Sequence, residues 1–438
     1  MATLTQQQFD PASAWARYEP DARRPWNLAL AGHLYRRAAF GASWGQLQRA
    51  LRDGPQRTVD ALLRPVGDVA AFNRQYDELE TPANDENSSN DLRAWWLQRM
   101  IRTPHPLQET MTLFWHGHFG VNAAKVNSAR AVQQHLQLLR RHALGSFREM
   151  LAGVVKDAAV FLTLDAKASR KAFPDEHLAR WFLEAFTVGP GRFSDRDVRE
   201  VARAFSGCFV LQNQLRFIER ERDAGTKRIL GQEGIFTGED VARILAEQPA
   251  TAQTIVRKVY RWLISETAEP DERLLSPLVE SFAKNHDVLQ LAETMLRSNL
   301  FFSAAAYLQR MKSPVEFALG IVKGLEETVS TPPLAEALVR LGQNLLHPPT
   351  AKGWLGGQNW INHATLAGRH NLAAALLKSD GAFGGKLNPA AVASKHGTDA
   401  RLFLDLFLQG DAEPSGDSGT DARRAAYAAI TMPEFQLA

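Results

Sequence analysis

Two histidines, His116 and His118, close a run that begins at Thr103 and carries apolar residues at helical spacing. Imidazole is a common metal ligand and proton carrier, so the pair is a candidate metal or relay site, with His177 further along the chain as a third imidazole. Residues two apart on a continuous helix point about 200° apart. Both rings can therefore serve one divalent ion only if the helix ends between them, which Gly117 permits. The alternative is structural: His118 completes the stripe of Leu107, Met111, Phe114 and Trp115 as a hydrogen-bonded core histidine, and His116 faces another helix or water.

A second group is acidic. Glu176, His177, Arg180 and Glu184 follow Pro174 on one expected helix, and Asp165 precedes them. Carboxylates in different environments divide general-acid and general-base work in hydrolases, so Asp165, Glu176 and Glu184 are the catalytic candidates. An Arg180–Glu184 ion pair at i,i+4 explains Glu184 equally well. Ser169 and Lys171 enter that helix where its N-terminus favours an anion, and Arg180, Asp223 and Lys227 add charge that can hold a substrate. Asp223, Gly225 and Lys227 also read simply as a turn. Trp354 and Trp360 lie in the Pro348 to Trp360 loop, where aromatic rings either stack on a sugar or plug a core.

The elements that must position these residues are helices. Thr103 to His118, Ser128 to Ala143, Phe147 to Val155, Pro174 to Val188, Ser194 to Phe205, Gly238 to Glu247, Thr251 to Ile264, Pro277 to Lys284, Asp287 to Arg297 and Pro314 to Leu325 carry apolar residues at helical spacing. Val210 to Glu221 and Lys227 to Leu230 read as extended runs around a turn at Arg222 to Gly225, a small β-hairpin. Thr81 to Asn90 and Asp411 to Thr420 are polar stretches expected as mobile loops. The expectation is a mostly α, multi-helical single body: an N-terminal extension over 1–25, a helical domain over 26–410 with a hairpin near 210–230, and a polar loop and C-terminal segment over 411–438 belonging to the same domain.

Composition excludes several classes. The charge balance of 51 basic and 48 acidic residues leaves +3, without the concentrated field of a dedicated nucleic-acid binder. The single cysteine, Cys208, excludes intrachain disulfides and cysteine-rich metal sites. No run approaches the roughly 20 apolar residues of a membrane span. The first residues carry no visible export signal, so a cytoplasmic location is expected. Ser146 and Ser206 lack a nucleophile-elbow context, and no Walker or dinucleotide-binding glycine motif occurs.

Several ordered blocks resemble the bacterial domain of unknown function 1800 family: Ala31 to Gly41 (AGHLYRRAAFG), Thr112 to Phe119 (TLFWHGHF), Arg141 to Arg148, Pro174 to Arg180, Glu184 to Gly189, Asp223 to Lys227, Lys312 to Glu316, Pro348 to Gly357 and Met432 to Gln436. The resemblance covers nearly the whole chain and supplies no reaction. It implies a sulfatase-like partner protein and, for many members, export. The chain departs from the family pattern at Asp175-Glu176-His177, at Trp181, where a glutamate is usual, and at Arg222-Asp223, where a His-Asp pair is common. Two functions are therefore expected in competition. One is a hydrolase-type enzyme on a carbohydrate-like or anionic polymer, using the paired carboxylates. The other is a non-catalytic binding or assembly protein of the bacterial cell envelope.

Overall fold

In the computed structural model, the described residues are 10–65, 67–76, 89–267, 269–397, 401–410 and 421–438. They fold as short helices around one continuous hydrophobic core that runs from Ala14 to Phe435. The fold is mostly α. Of the two polar stretches, Thr81 to Asn90 and Asp411 to Thr420, only Ser89 and Asn90 fall among the described residues, where they open the helix Ser89–Arg102.

Helix starts follow local chemistry. Ser128, Ser146, Asp157, Asp175, Ser194, Asp287 and Ser313 each accept a first-turn backbone N–H on the side chain, a cap contributing about 1 kcal/mol. Pro106 and Pro249 occupy first-turn positions, where a missing N–H costs nothing. The helix expected to begin at Pro277 instead spans Glu272–Asn285, with Asp271 as its cap and Pro277 inside it.

The extended region differs from the single hairpin expected. Two separate antiparallel pairs form, Cys208–Leu211 with Gln214–Phe217 and Lys227–Ile229 with Gln232–Gly234. Their turns are Gln212-Asn213 and Leu230-Gly231, all at positive φ, the geometry whose twist matches paired strands. Arg222 to Gly225 is not a hairpin turn. Arg203 grips both carboxylate oxygens of Asp223 at 2.7 and 3.1 Å and holds that segment between the hairpins.

Three central helices are locked by a buried charge cluster. Glu109 on Pro106–Phe119 accepts from Arg99 Nε at 2.8 Å, Arg140 Nε at 2.7 Å and Trp96 Nε1 at 3.0 Å. This ties Ser89–Arg102 and Ala129–His142 to the helix carrying both motif histidines. The two guanidinium groups outweigh the effect of burial and hold the carboxyl below its ordinary range.

Candidate functional site

The helix Pro106–Phe119 continues past Gly117 and ends at Gly120, which takes the left-handed conformation and donates its N–H to His116 O at 3.0 Å. With an intact helix between them, the two histidines face apart. His116 lies among Trp96, His135 and Trp354, with ring centroids at 5.4, 6.3 and 5.7 Å. Both of its ring nitrogens are buried without a hydrogen-bond partner. Burial, reinforced by His135 and His347, pushes its pKa down to about 3, so the ring is neutral. Among the described residues, no group of three or more His, Cys, Asp or Glu converges as a metal site.

His118 has specific partners on the opposite side. Its Nε2 lies 3.1 Å from Phe186 O, and Lys258 Nζ lies 2.9 Å from its Nδ1 and 2.9 Å from Ala185 O. A carbonyl only accepts, so Nε2 carries the ring proton and Nδ1 receives the lysine. Both carbonyls belong to a π-helical turn, Phe182–Phe186, that closes the helix begun at Glu176. Single π turns leave carbonyls outside the α ladder and recur at functional sites. Here the turn presents Ala185 O and Phe186 O to one lysine and one histidine.

Lys258 stands where two neighbouring cavities meet, of about 230 and 450 Å³, which also share Arg261 and Lys352. The first is walled by Phe114, Trp262, Trp354 and Trp360 and carries Glu266 and Arg310; the second carries Glu184 and Arg257. The loop Pro348 to Trp360 forms one wall. It is seated by backbone contact, because a Cβ built on Gly353 would lie 2.8 Å from Gly117 C, and one on Gly120 2.6 Å from Ala351 Cα. Only glycine allows this approach.

Most of the cleft's cations meet carboxylates, whereas Arg192 on the second cavity reaches only the Ala250 carbonyl, at 3.4 Å. Arg257 and Arg261 engage Glu269, Lys352 lies 3.0 Å from Glu184, and Arg310 engages Glu316 while stacking on Trp262 at 4.6 Å. Glu266 accepts the Met311 N–H at 2.6 Å. No carboxylate of the described residues pairs with Lys258, whose two hydrogen bonds leave one ammonium proton for a ligand. Burial first, and the Lys352 charge second, push its pKa down to about 8. A bound anion opposes both effects through its charge, since it supplies the missing counter-charge and favours the ammonium.

Four of the residues singled out from sequence line this cleft: His118, Trp354 and Trp360 the first cavity, Glu184 the second. The others lie elsewhere. Asp165 is exposed in a 2.8 Å ion pair with Lys125. Glu176 and Lys171 are exposed, and His177 Nε2 accepts from Trp181 Nε1 at 3.0 Å. Arg180 pairs with Asp195 at 3.0 Å, while Glu184 turns to Lys352. Ser169 is buried and its hydroxyl accepts the Asp175 N–H at 3.3 Å. Lys227 is buried and donates to Asp223 O and Gly225 O at 2.6 and 2.9 Å, stapling the segment between the hairpins.

The sequence reading missed Lys258, Glu266, Arg310 and Lys352 as site residues. Lys258 had a detectable signal. It falls three residues after Ile255 and four before Trp262, placing a charge on a face that also carries apolar residues. The profile of the family described as protein of unknown function (DUF1800) matches residues 33–437. No curated protein and no solved structure matches the chain.

Proposed function

The chain belongs to the DUF1800 family, and we propose that it is an enzyme acting on an anionic, carbohydrate-like ligand held in the cleft over Lys258. The observation that carries this reading is the lysine itself: a half-buried cation at the junction of two cavities, with no carboxylate partner among the described residues, beside a second cation and aromatic walls. An acidic sugar unit complements all of these features. Its anionic group meets Lys258, and its ring stacks on Trp354 or Trp262. A charge-assisted hydrogen bond of this kind contributes about 1.5–3 kcal/mol.

For bond cleavage the cleft offers two carboxylates, Glu184 and Glu266, one in each cavity. Glu184 is the carboxylate singled out from sequence, and Glu266 takes the place expected for Asp165 or Glu176. Hydrolysis of a glycosidic link would divide acid and base work between them. Calorimetric titration with oligogalacturonates and with neutral oligosaccharides of equal length tests the ligand class. The acidic series is expected to bind, to weaken with salt, and to lose about tenfold or more in Lys258→Met. Equal binding of both series, or unchanged affinity in that variant, overturns the reading. Release of reducing ends that is lost in Glu184→Gln and Glu266→Gln tests the hydrolytic step.

The envelope binding or assembly reading has its own observation. Phe173, Leu211 and Phe217 are 79%, 50% and 51% exposed, with Leu211 and Phe217 on opposite faces of the first hairpin; exposed apolar side chains of this kind can be covered by a partner. Sedimentation of the wild type against Phe173→Ser/Phe217→Ser tests it. A loss of self-association or partner binding without loss of ligand affinity favours this second reading.

A further inference from the structure

A lysine kept only for its charge is normally held as ammonium by a carboxylate. Lys258 has the opposite surroundings: a neutral imidazole nitrogen at 2.9 Å, a backbone carbonyl at 2.9 Å, the Lys352 cation nearby, and aromatic walls. Desolvation and a neighbouring cation are the two devices that turn a lysine into a nucleophile. We propose that Lys258 is a carbonyl-capturing amine that forms an imine with an anionic aldehyde or ketone bound in this cleft. The inference rests on the anionic-ligand reading of the cleft and is independent of any carboxylate-driven hydrolysis. Open-chain reducing ends of acidic sugars belong to this chemical class.

The step balances without a co-reactant. The neutral Nζ adds to the carbonyl carbon, and the C=O π pair moves to oxygen, which takes one proton from the amine to give a carbinolamine. The C–O bond then breaks, oxygen leaves as water with the second amine proton, and C=N remains. His118 Nδ1 and Ala185 O hold the nitrogen in place. In this mode the carbonyl, not the anionic group, meets Lys258; the Lys352 ammonium and Arg261 line the same space and meet the anionic group, exchanging Glu184 and Glu269 for it. With its pKa pushed down to about 8 from 10.5, Lys258 has a neutral fraction at pH 7 roughly 300-fold above that of an ordinary lysine.

The test uses the full chain and pyridoxal 5′-phosphate, an anionic aromatic aldehyde, with borohydride reduction and peptide mapping. Lys125 and Lys156, both exposed and ion-paired, are internal references. The expected result is reduced adduct at Lys258 forming at least about tenfold faster than at either reference, and slowed several-fold in Lys352→Met, which leaves the amine in place. Labelling at Lys258 no faster than at the references overturns the proposal. Pyridoxine 5′-phosphate, with an alcohol in place of the aldehyde, separates the two readings. If it binds in the cleft while Lys258 stays unlabelled by the aldehyde, imine formation is refuted and the anion site stands. If neither compound engages the cleft, both readings fall together.

Discussion

Replacing Gly353 by alanine tests whether backbone contact between the late loop and the helix Pro106–Phe119 builds the cleft wall. Gly353 sits at φ +78°, where an L side chain costs about 1–2 kcal/mol. Its new Cβ would overlap the Gly117 carbonyl oxygen and lie 2.8 Å from Gly117 C and 3.0 Å from Gly117 Cα. Forcing a methyl group into filled space costs a further 1–3 kcal/mol or so. Helix backbone does not yield, whereas the loop is tied by an exposed Lys352–Glu184 ion pair, a contact of about 0–1 kcal/mol, and by short local bonds such as Gly353 N to Thr350 O. The cheaper response is for the loop to lift, taking Trp354 and Lys352 out of the cleft. Gly342→Ala is the control, because Gly342 has φ +94° but nothing within 4 Å of a built Cβ. Urea denaturation should show Gly353→Ala to be the more damaging by about 1–3 kcal/mol. Near-ultraviolet circular dichroism should report altered tryptophan packing, and affinity for an acidic oligosaccharide should fall. If the two variants unfold alike and the dichroism is unchanged, the Gly117–Gly353 approach does not seat the loop.

Other substitutions separate structural from functional charges. Glu109→Gln leaves Arg99 and Arg140 buried against a neutral amide, and chemical denaturation should show a loss of about 3–5 kcal/mol. Lys227→Met breaks the staple on Asp223 O and Gly225 O, so stability should fall by about 1–3 kcal/mol while ligand affinity stays unchanged. The pH dependence of the wild-type protein's stability carries a contribution from His116. The ring titrates at about 3 when folded and near the ordinary histidine value of 6.5 when unfolded, so between those values the unfolded chain binds the extra proton. The resulting stability is fully present above about pH 6.5 and is lost as the pH falls, by about 2–3 kcal/mol at pH 4.5. Denaturation at stepped pH should give a shallower slope for His116→Phe.

The helical frame was legible because its signals are local. Ser128, Ser194 and Ser313 cap helices whose starts follow from sequence, and the Leu136, Leu139 and Ala143 stripe is buried as its spacing implies. Pro277 misled for an equally local reason: proline suits a first turn, yet here it is carried inside a helix begun by Asp271. The hairpins were misplaced because Asp223-Ala224-Gly225 has turn chemistry that the tertiary contact with Arg203 overrides. Of the sequence candidates, His118, Glu184, Trp354 and Trp360 line the cleft, to which residue type and block position pointed. Lys258 was not, because its meaning depends on which charges are absent around it. That is set by a π turn and a loop separated from it by 73 and about 100 residues, and helical periodicity encodes neither.

The central claim is that Lys258 is a desolvated amine awaiting an anion, and its own titration tests this most directly. Lysines reductively methylated with carbon-13 and followed by NMR, with Lys258→Arg assigning the resonance, should show Lys258 titrating near about 8. Pyridoxine 5′-phosphate or oligogalacturonate should raise that value by about one unit or more, because the bound anion stabilises the ammonium. Titration with the bulk of the lysines, unmoved by either ligand, would contradict the account.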